Sequence, residues 1–239
     1  MLRRLSLTLV LLAFAGVAQA EAWKQGYSRQ AQQVLMRGRG AAGGAAWNYL
    51  RGWHETGREG GVPYEAWYDP IRYGMRVERR GPAGLDVRGF NGLGAWRITP
   101  AGVASGTGDP GPVGEARSEA FFAMEGFYFS GRFDAAGRYL GPRRADGKSF
   151  EAVEVKPYAA PPRELWFDRS TGLLSRIVAR VGGRTVITQL SDYRKVGPVR
   201  VAFRAVTDDG LGGRTERIVE SVSFTPPDRA LFSLPRPMP

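Results

Sequence analysis

Residues 163–235 consist of short apolar runs separated by tight-turn residues, and this pattern restricts the chain to few folds. The turns include Ser170-Thr171-Gly172 and Gly182-Gly183. In the run between them, period two places Leu173 and Ile177 on one face and Leu174 and Arg176 on the other. Such runs joined by short turns are typical of consecutive antiparallel hairpins. The pattern therefore predicts a ladder of strands with one apolar face and one arginine-bearing face.

The first twenty residues have the pattern of a secretory signal. Arg3 and Arg4 precede an apolar run over 5–17, and Ala18-Gln19-Ala20 provides a small-residue cleavage site. The apolar run is too short for an ordinary membrane span. The sequence therefore predicts a signal peptide over 1–20 that is cleaved after Ala20. It also predicts a single exported domain over 21–239 in a bacterial periplasm.

Composition limits the partners of the exported chain. The net charge is +11, and removal of Arg3 and Arg4 with the signal peptide takes away two positive charges. Nucleic acid is not expected as a partner in the periplasm, whereas anionic lipid headgroups would attract a basic protein. The alternative is that the dispersed arginines serve solubility alone. The absence of cysteine excludes disulfides, thiol catalysis and cysteine-based metal sites.

The remaining segments predict two helices and further strands. Apolar spacing favours helices over 22–37, ended by Gly38 and Gly40, and over 115–129. Period two predicts a meander from Trp47 to Trp96, in which Trp47 and Trp53 share one strand face. Residues 101–114 are predicted to form a glycine- and proline-rich loop. The predicted fold class is mainly β (α+β): one strongly curved antiparallel sheet with helices covering its concave face. A two-sheet sandwich is the alternative.

Three segments of the carboxy-terminal third carry a family resemblance. They are the hairpin Leu165-Trp166-Phe167-Asp168 with Ser170-Thr171-Gly172, the turn Ser191-Asp192-Tyr193-Arg194 with the strand after it, and the closing Thr225-Pro226-Pro227 with Ala230-Leu231-Phe232. With these segments the chain resembles the periplasmic lipoprotein-carrier superfamily, which moves lipoproteins to the outer membrane and includes exported proteins of unassigned function. The resemblance implies an incomplete antiparallel barrel with a helical lid over an apolar cavity.

Candidate catalytic and cofactor motifs have simpler interpretations. Gly38, Gly40 and Gly43 match G-x-G-x-x-G, but they follow a predicted helix, where a dinucleotide fingerprint would follow a strand. His54 is the sole histidine and is interpreted as a surface residue. A zinc site built from one histidine and no cysteine would have to rely on carboxylates, which is rare. Asp168 is interpreted as a turn residue. No catalytic residue, cofactor or metal is predicted, and the chain is not expected to be an enzyme.

Large aromatic residues are the candidate ligand-binding set. The side chains predicted to line a cavity are Trp47, Trp53, Trp67, Phe121, Phe122, Met124 and Trp166. The alternative is that they fill the core between sheet and helices. Glu216 and Glu220 either face solvent or place a carboxylate in the cavity.

The functional hypothesis is a monomeric, non-enzymatic carrier or chaperone that binds acyl chains of a lipid or lipoprotein. The alternative is a sensor or interaction module that binds a partner protein, such as an outer-membrane protein, at an exposed sheet edge.

Overall fold

Most of the chain forms antiparallel strands in a computed structural model that describes residues 26–129 and 131–234. The predicted signal peptide lies outside these residues. The strands in chain order are β1 (Trp53–Glu59), β2 (Val62–Asp69), β3 (Gly74–Gly81), β4 (Gly84–Asn91), β5 (Ala95–Ile98), β6 (Ala104–Thr107), β7 (Ala135–Ala145), β8 (Lys148–Pro157), β9 (Arg163–Asp168), β10 (Leu174–Val181), β11 (Arg184–Val196), β12 (Val199–Asp208) and β13 (Arg214–Ser223). Apolar side chains at alternate positions give most of these strands one buried face.

Within the described residues, all strands belong to one 13-stranded sheet in the order β6-β5-β4-β3-β2-β1-β13-β12-β11-β10-β9-β8-β7. Strands β1 to β6 form one meander and β7 to β13 a second, and the antiparallel pairing of β1 with β13 joins them. The sheet stays open, because β6 and β7 form its two edges in this part of the chain. The predicted single curved sheet is confirmed, and the two-sheet sandwich is wrong.

β-Bulges interrupt the strict alternation of side chains between the two faces of the sheet. The β10–β9 register shifts between Leu174 and Arg176. Leu174 is consequently buried in the core, while Arg176 lies against Phe150 and Trp166 outside that core. The predicted common face for Leu174 and Arg176 is therefore wrong, because the extra residue of a bulge reverses the alternation.

A second bulge, between Thr56 and Gly57, depends on glycine. A Cβ at Gly57 would lie 2.1 Å from the Ile218 carbonyl oxygen, which belongs to the rigid backbone of the neighbouring strand. We expect Gly57→Ala to lower the free energy of unfolding by about 2 kcal/mol, measured by urea denaturation. Gly81→Ala is the matched control, since its Cβ would meet only Val62 at 3.9 Å. Equal stability of the two variants would contradict the prediction.

The first helix, α1, spans Arg29–Ala42, and the Ser28 hydroxyl accepts a hydrogen bond from the Ala31 amide as its N-cap. The prediction of a helix over 22–37 that ends at Gly38 is wrong, because the helix continues through Gly38 and Gly40. At Gly38 the helix approaches the Phe167 ring so closely that a Cβ would lie 2.5 Å from it. Glycine therefore allows close packing of helix on sheet at this position.

The segment between α1 and β1 differs from its prediction. A 3-10 helix over Gly44–Tyr49 contains Trp47, which was predicted to lie in a strand. Trp47 is buried and its Nε1 donates to the Ala42 carbonyl at 3.2 Å, whereas Tyr49 is exposed. Aromatic residues at alternate positions gave the appearance of period two, but Gly43 and Gly44, both with positive φ, redirect the chain into a turn of helix.

The second helix, α2, spans Pro110–Ala123 and is followed by a 3-10 helix over Gly126–Tyr128. The predicted loop over 101–114 is wrong, because it contains β6 and the first turn of α2. Proline fits the first turn, where no internal amide donor is needed. The predicted helix over 115–129 is also interrupted, since Glu125 takes a left-handed conformation with φ 50.

Both helices pack on the concave face of the sheet. Helix α1 contacts β7, β8 and β12, and α2 contacts β4, β5 and β8. On the outer face, a 3-10 helix over Arg229–Phe232 packs against β3 and β4, and Trp96 Nε1 donates to the Phe232 carbonyl at 2.8 Å. None of the helices in the described ranges is long and apolar enough to cross a lipid bilayer.

Candidate functional site

A cavity of about 1000 Å³ lies on the concave face, bounded by the sheet and by α2. Its apolar wall comes from the strands β10 to β13 and the residue that follows β13. The apolar residues of this wall, hereafter the β10–β13 wall, are Leu174, Ile177, Val186, Leu190, Val201, Ala202, Ala205, Val219, Val222 and Phe224. Helix α2 contributes Ala116, Phe122 and Ala123 on the opposite side. The volume is within the range of small-molecule pockets.

Three of the seven predicted ligand-binding residues line this cavity: Trp47, Trp53 and Phe122. Trp47 packs against Tyr128, with ring centroids 5.2 Å apart. Trp53 packs against Tyr68 at 5.0 Å, where β1 and β2 are paired. Their contact with a ligand remains a prediction.

Phe121 and Met124 lie in the core instead. Both side chains are fully buried and are not part of the cavity wall. The Phe121 ring contacts the rings of Phe122, Phe127 and Phe133 at centroid distances of 5.0, 6.3 and 5.8 Å. For these two residues the structure fits the alternative of core filling.

Trp67 and Trp166 lie away from the cavity, which corrects their predicted placement. Trp67 pairs with His54 across β1 and β2, and the two rings stack at 4.7 Å. Trp166 packs against Phe150 at 5.8 Å and beneath the Arg176 guanidinium. Both residues occupy strand positions whose neighbours in sequence face the core, so alternation turns them outward. Residue type alone therefore does not place Trp67 and Trp166, because the strand face on which each lies decides whether it reaches the cavity.

A polar cluster that sequence reasoning missed lies on the same concave face. It comprises Glu55, Tyr64, Tyr68 and Arg217 and is named here the Glu55–Arg217 cluster. The Tyr64 hydroxyl donates to Glu55 Oε1 at 2.5 Å, and Arg217 Nη2 donates to the same oxygen and, at 3.2 Å, to the Tyr68 hydroxyl. The Arg217 guanidinium also lies 4.3 Å from the centre of the Tyr64 ring. Glu55 and Arg217 both line the cavity.

Burial governs the protonation states in this cluster. Burial raises the pKa of Tyr68 to about 12, despite the opposing effect of Arg217, and raises the pKa of Tyr64 further above its ordinary value. Burial is the largest single effect on Arg217 and opposes its charge, but Glu55, Tyr68 and Tyr64 together outweigh burial and raise the pKa of Arg217. At neutral pH the cluster is therefore a fixed ion pair held by two neutral tyrosines.

Glu125 brings a second carboxyl to the cavity. Within the described chain, its carboxyl group makes no hydrogen bond or ion pair. Burial, and secondarily the charge on Glu55, raise its pKa from 4.5 to about 8. A carboxyl group in such surroundings retains its proton in neutral solution.

Ion pairs surround the remainder of the cavity. Arg79 pairs with Glu59 at 2.6 Å, Arg88 with Glu119 at 3.1 Å, and Arg97 with Asp86 at 2.8 Å. Each of these pairs has at least one member in the cavity wall. Arg163 stacks on the Phe122 ring at 4.8 Å. Glu216 instead pairs with Arg204 and is exposed, which agrees with the solvent-facing alternative for this residue.

The described residues contain no group of three or more histidine, aspartate and glutamate side chains that could hold a metal ion. His54 pairs with Glu65 at 3.0 Å beside Trp67, on the face that points away from the cavity. The arrangement at the cavity therefore offers apolar surface, fixed ion pairs and, at Glu125, a carboxyl group of raised pKa without a partner among the described residues.

Comparison with solved structures shows that the chain has a known fold, an open antiparallel barrel. The crystal structure of a LolA superfamily protein from Nitrosomonas europaea aligns with a TM-score of 0.58 at 13% identity, over 85% of this chain and 97% of that chain. A putative outer membrane lipoprotein-sorting protein domain from Vibrio parahaemolyticus aligns with a TM-score of 0.53 at 12% identity, over 81% and 92% of the two chains. No family model and no curated protein matches the chain. The resemblance inferred from the sequence is confirmed at the level of the fold.

Proposed function

We propose that this protein is a non-enzymatic periplasmic carrier that binds an acyl chain of a lipid or lipoprotein in the concave cavity. The observation that carries the proposal is the β10–β13 wall, whose apolar side chains face a cavity of about 1000 Å³. An acyl chain on this wall would leave water, and each buried CH2 group would contribute about 0.8 kcal/mol. Trp47, Trp53 and Phe122, which line other parts of the cavity, would also contact the acyl chain.

The charge distribution supports delivery at a membrane surface. Arginines on β10 and β12, such as Arg180 and Arg200, are exposed and contribute to the net positive charge of the protein. Anionic headgroups attract clustered basic side chains by about 1 kcal/mol each near the surface. In this proposal, signal cleavage after Ala20 releases the monomeric carrier into the periplasm, where it moves its cargo between surfaces.

A protein-interaction module is the second candidate. Strand β6 (Ala104–Thr107) forms one edge of the sheet in the described residues, and three of its four residues are exposed. An exposed edge can accept an added strand from a partner through backbone hydrogen bonds.

A cavity-filling substitution tests the carrier. We expect Ala205→Phe, which places a ring into the β10–β13 wall, to weaken binding of a fluorescent fatty acid by about tenfold or more, because the ring takes the space of several CH2 groups. Ile218→Phe is the matched control, since Ile218 is 44% exposed and lies on the strand next to Ala205. Fluorescence titration of both folded variants measures the difference.

Native mass spectrometry of protein purified from periplasm gives an independent measurement. The carrier proposal predicts co-purified lipid in the wild-type protein and its loss in Ala205→Phe. A lipid-free mass for the wild type, together with no binding of fatty acid at micromolar concentration, would refute the carrier and favour the interaction module.

A further inference from the structure

Within the described chain, the cavity has a carboxyl group without an ion-pair partner, Glu125, on the concave surface near β1. Glu55 is neutralised by Arg217, which lies within the same cluster. The Glu125 carboxyl has no such partner among the described residues, and it lies near enough to Glu55 for that charge to act on it. When Glu125 ionises, this part of the cavity surface carries one net negative charge.

The backbone fixes Glu125 in this position. Its left-handed conformation lies between Met124, which is fully buried, and Gly126, whose Cβ would lie 2.5 Å from the Phe121 ring. The residues on both sides are thus locked in the core, and the side chain of Glu125 is held at the cavity. A non-glycine residue in this conformation is uncommon and is retained only where packing fixes it.

Several aromatic rings border the same region. Trp47 and Trp53 line the cavity, and Tyr128 follows Glu125 on the 3-10 helix and packs against Trp47. Aromatic faces attract cations, and two neighbouring carboxyl groups repel anions. The group that complements this region is therefore a cation with hydrogen-bond donors, small enough to lie at the end of an acyl chain.

We propose that the cavity surface formed by Glu55 and Glu125 is a subsite for an alkylammonium group, so that the cargo is an amphiphile with an amine at its polar end. The proposal rests on the carrier function and specifies its ligand class: the apolar chain lies on the β10–β13 wall and the ammonium lies against Glu125. Because Glu55 already forms an ion pair with Arg217, Glu125 is the counter-ion of the ligand.

This arrangement couples binding to a proton. The charged or titratable groups that act on Glu125 and its neighbours are Glu55, Tyr68, Tyr128, Tyr193 and Arg217. The tyrosines stay neutral because burial raises the pKa of each of them. Below about pH 8 the empty site holds a proton on Glu125. An ammonium must displace that proton, so its affinity is expected to rise with pH by up to tenfold per unit until about pH 8.

Calorimetric titration with three ligands of one chain length tests the subsite: decylammonium, decanol and decanoate, each below its critical micelle concentration. The wild type is expected to bind decylammonium about tenfold more tightly than decanol near pH 8, and to release a proton near pH 6. In Glu125→Gln the preference and the proton release should disappear, while the affinity for decanol stays the same. Glu115→Gln, which removes an exposed carboxylate of the cavity wall, is the matched control and should keep both.

The outcomes separate the subsite from the carrier. Equal binding of the three ligands by the wild type, or an unchanged amine preference in Glu125→Gln, would overturn the ammonium subsite and leave the carrier proposal intact. Binding of none of the three would overturn both. Circular dichroism establishes that each variant is folded. The number of protons that the wild type releases on binding is obtained from calorimetry in two buffers of different ionisation enthalpy, and it tests the subsite without any substitution.

Discussion

Replacing Glu55 with glutamine is expected to lower the free energy of unfolding by about 3 kcal/mol. The substitution removes the only ion-pair partner of Arg217 among the described residues and leaves its guanidinium charged on a largely buried surface, with side-chain exposure of 27%. The Tyr64 hydroxyl also loses the carboxylate oxygen to which it donates. Breaking one side of such a pair costs more than removing both partners, because a charge remains without compensation. Urea denaturation at neutral pH measures the loss.

Two further variants isolate the ion pair. Glu65→Gln, on the paired strand of the same hairpin, removes a carboxylate that is 51% exposed and pairs with His54. Exposed pairs contribute little, so a change below about 0.5 kcal/mol is expected. The double variant Glu55→Gln with Arg217→Met should recover part of the lost stability, since no buried charge remains. If Glu55→Gln and Glu65→Gln prove equally stable, the Glu55–Arg217 cluster has no structural role.

The sheet was predictable from sequence because its signals are local. Turns such as Gly182-Gly183 join runs whose apolar residues recur at every second position, and each hairpin forms with its neighbour in sequence. The pairing of β1 with β13 is different, since it joins residues far apart in the chain. The number and spacing of the short strands predicted one strongly curved sheet, and the family resemblance added that this sheet is a half-open barrel.

Helix boundaries were less predictable because tertiary packing decided them. Gly38 and Gly40 are helix breakers by propensity, yet α1 continues through both, and at Gly38 the helix packs closely on Phe167. Conversely, Glu125 has no intrinsic preference for a left-handed conformation, and the α2 segment breaks there because Met124 and Gly126 are fixed in the core. Neither contact is visible in a local pattern.

The polar part of the site carried a signal that was overlooked. Glu55 lies two residues after Trp53, and Arg217 two residues before Val219, so each charged residue occupies an inward position of a strand. A charged residue on an otherwise apolar strand face indicates a buried partner or a ligand. The bulge between Thr56 and Gly57 lies just beyond Glu55 and complicates the assignment of faces, and the distance in sequence between the partners conceals their pairing.

Neighbouring phenylalanines of α2 should separate core packing from ligand binding. Phe121→Ala is expected to lower the free energy of unfolding by about 4 kcal/mol, because the ring is fully buried among three other aromatic rings. Its effect on fatty-acid affinity in the folded protein should be small, since Phe121 does not line the cavity.

Phe122→Ala should show the reverse order of effects. The Phe122 ring borders the cavity and stacks against Arg163. Its removal therefore leaves a smaller void in the core than the removal of Phe121, but it changes the wall that an acyl chain would touch. We expect a smaller loss of stability, about 3 kcal/mol, and affinity for the fluorescent fatty acid several-fold weaker than in Phe121→Ala. Thermal denaturation and fluorescence titration, performed below the midpoint of both variants, measure the two effects. A stronger loss of affinity in Phe121→Ala would place the ligand against the other side of α2, because the wall that Phe122 forms would then not be the surface in contact with the acyl chain.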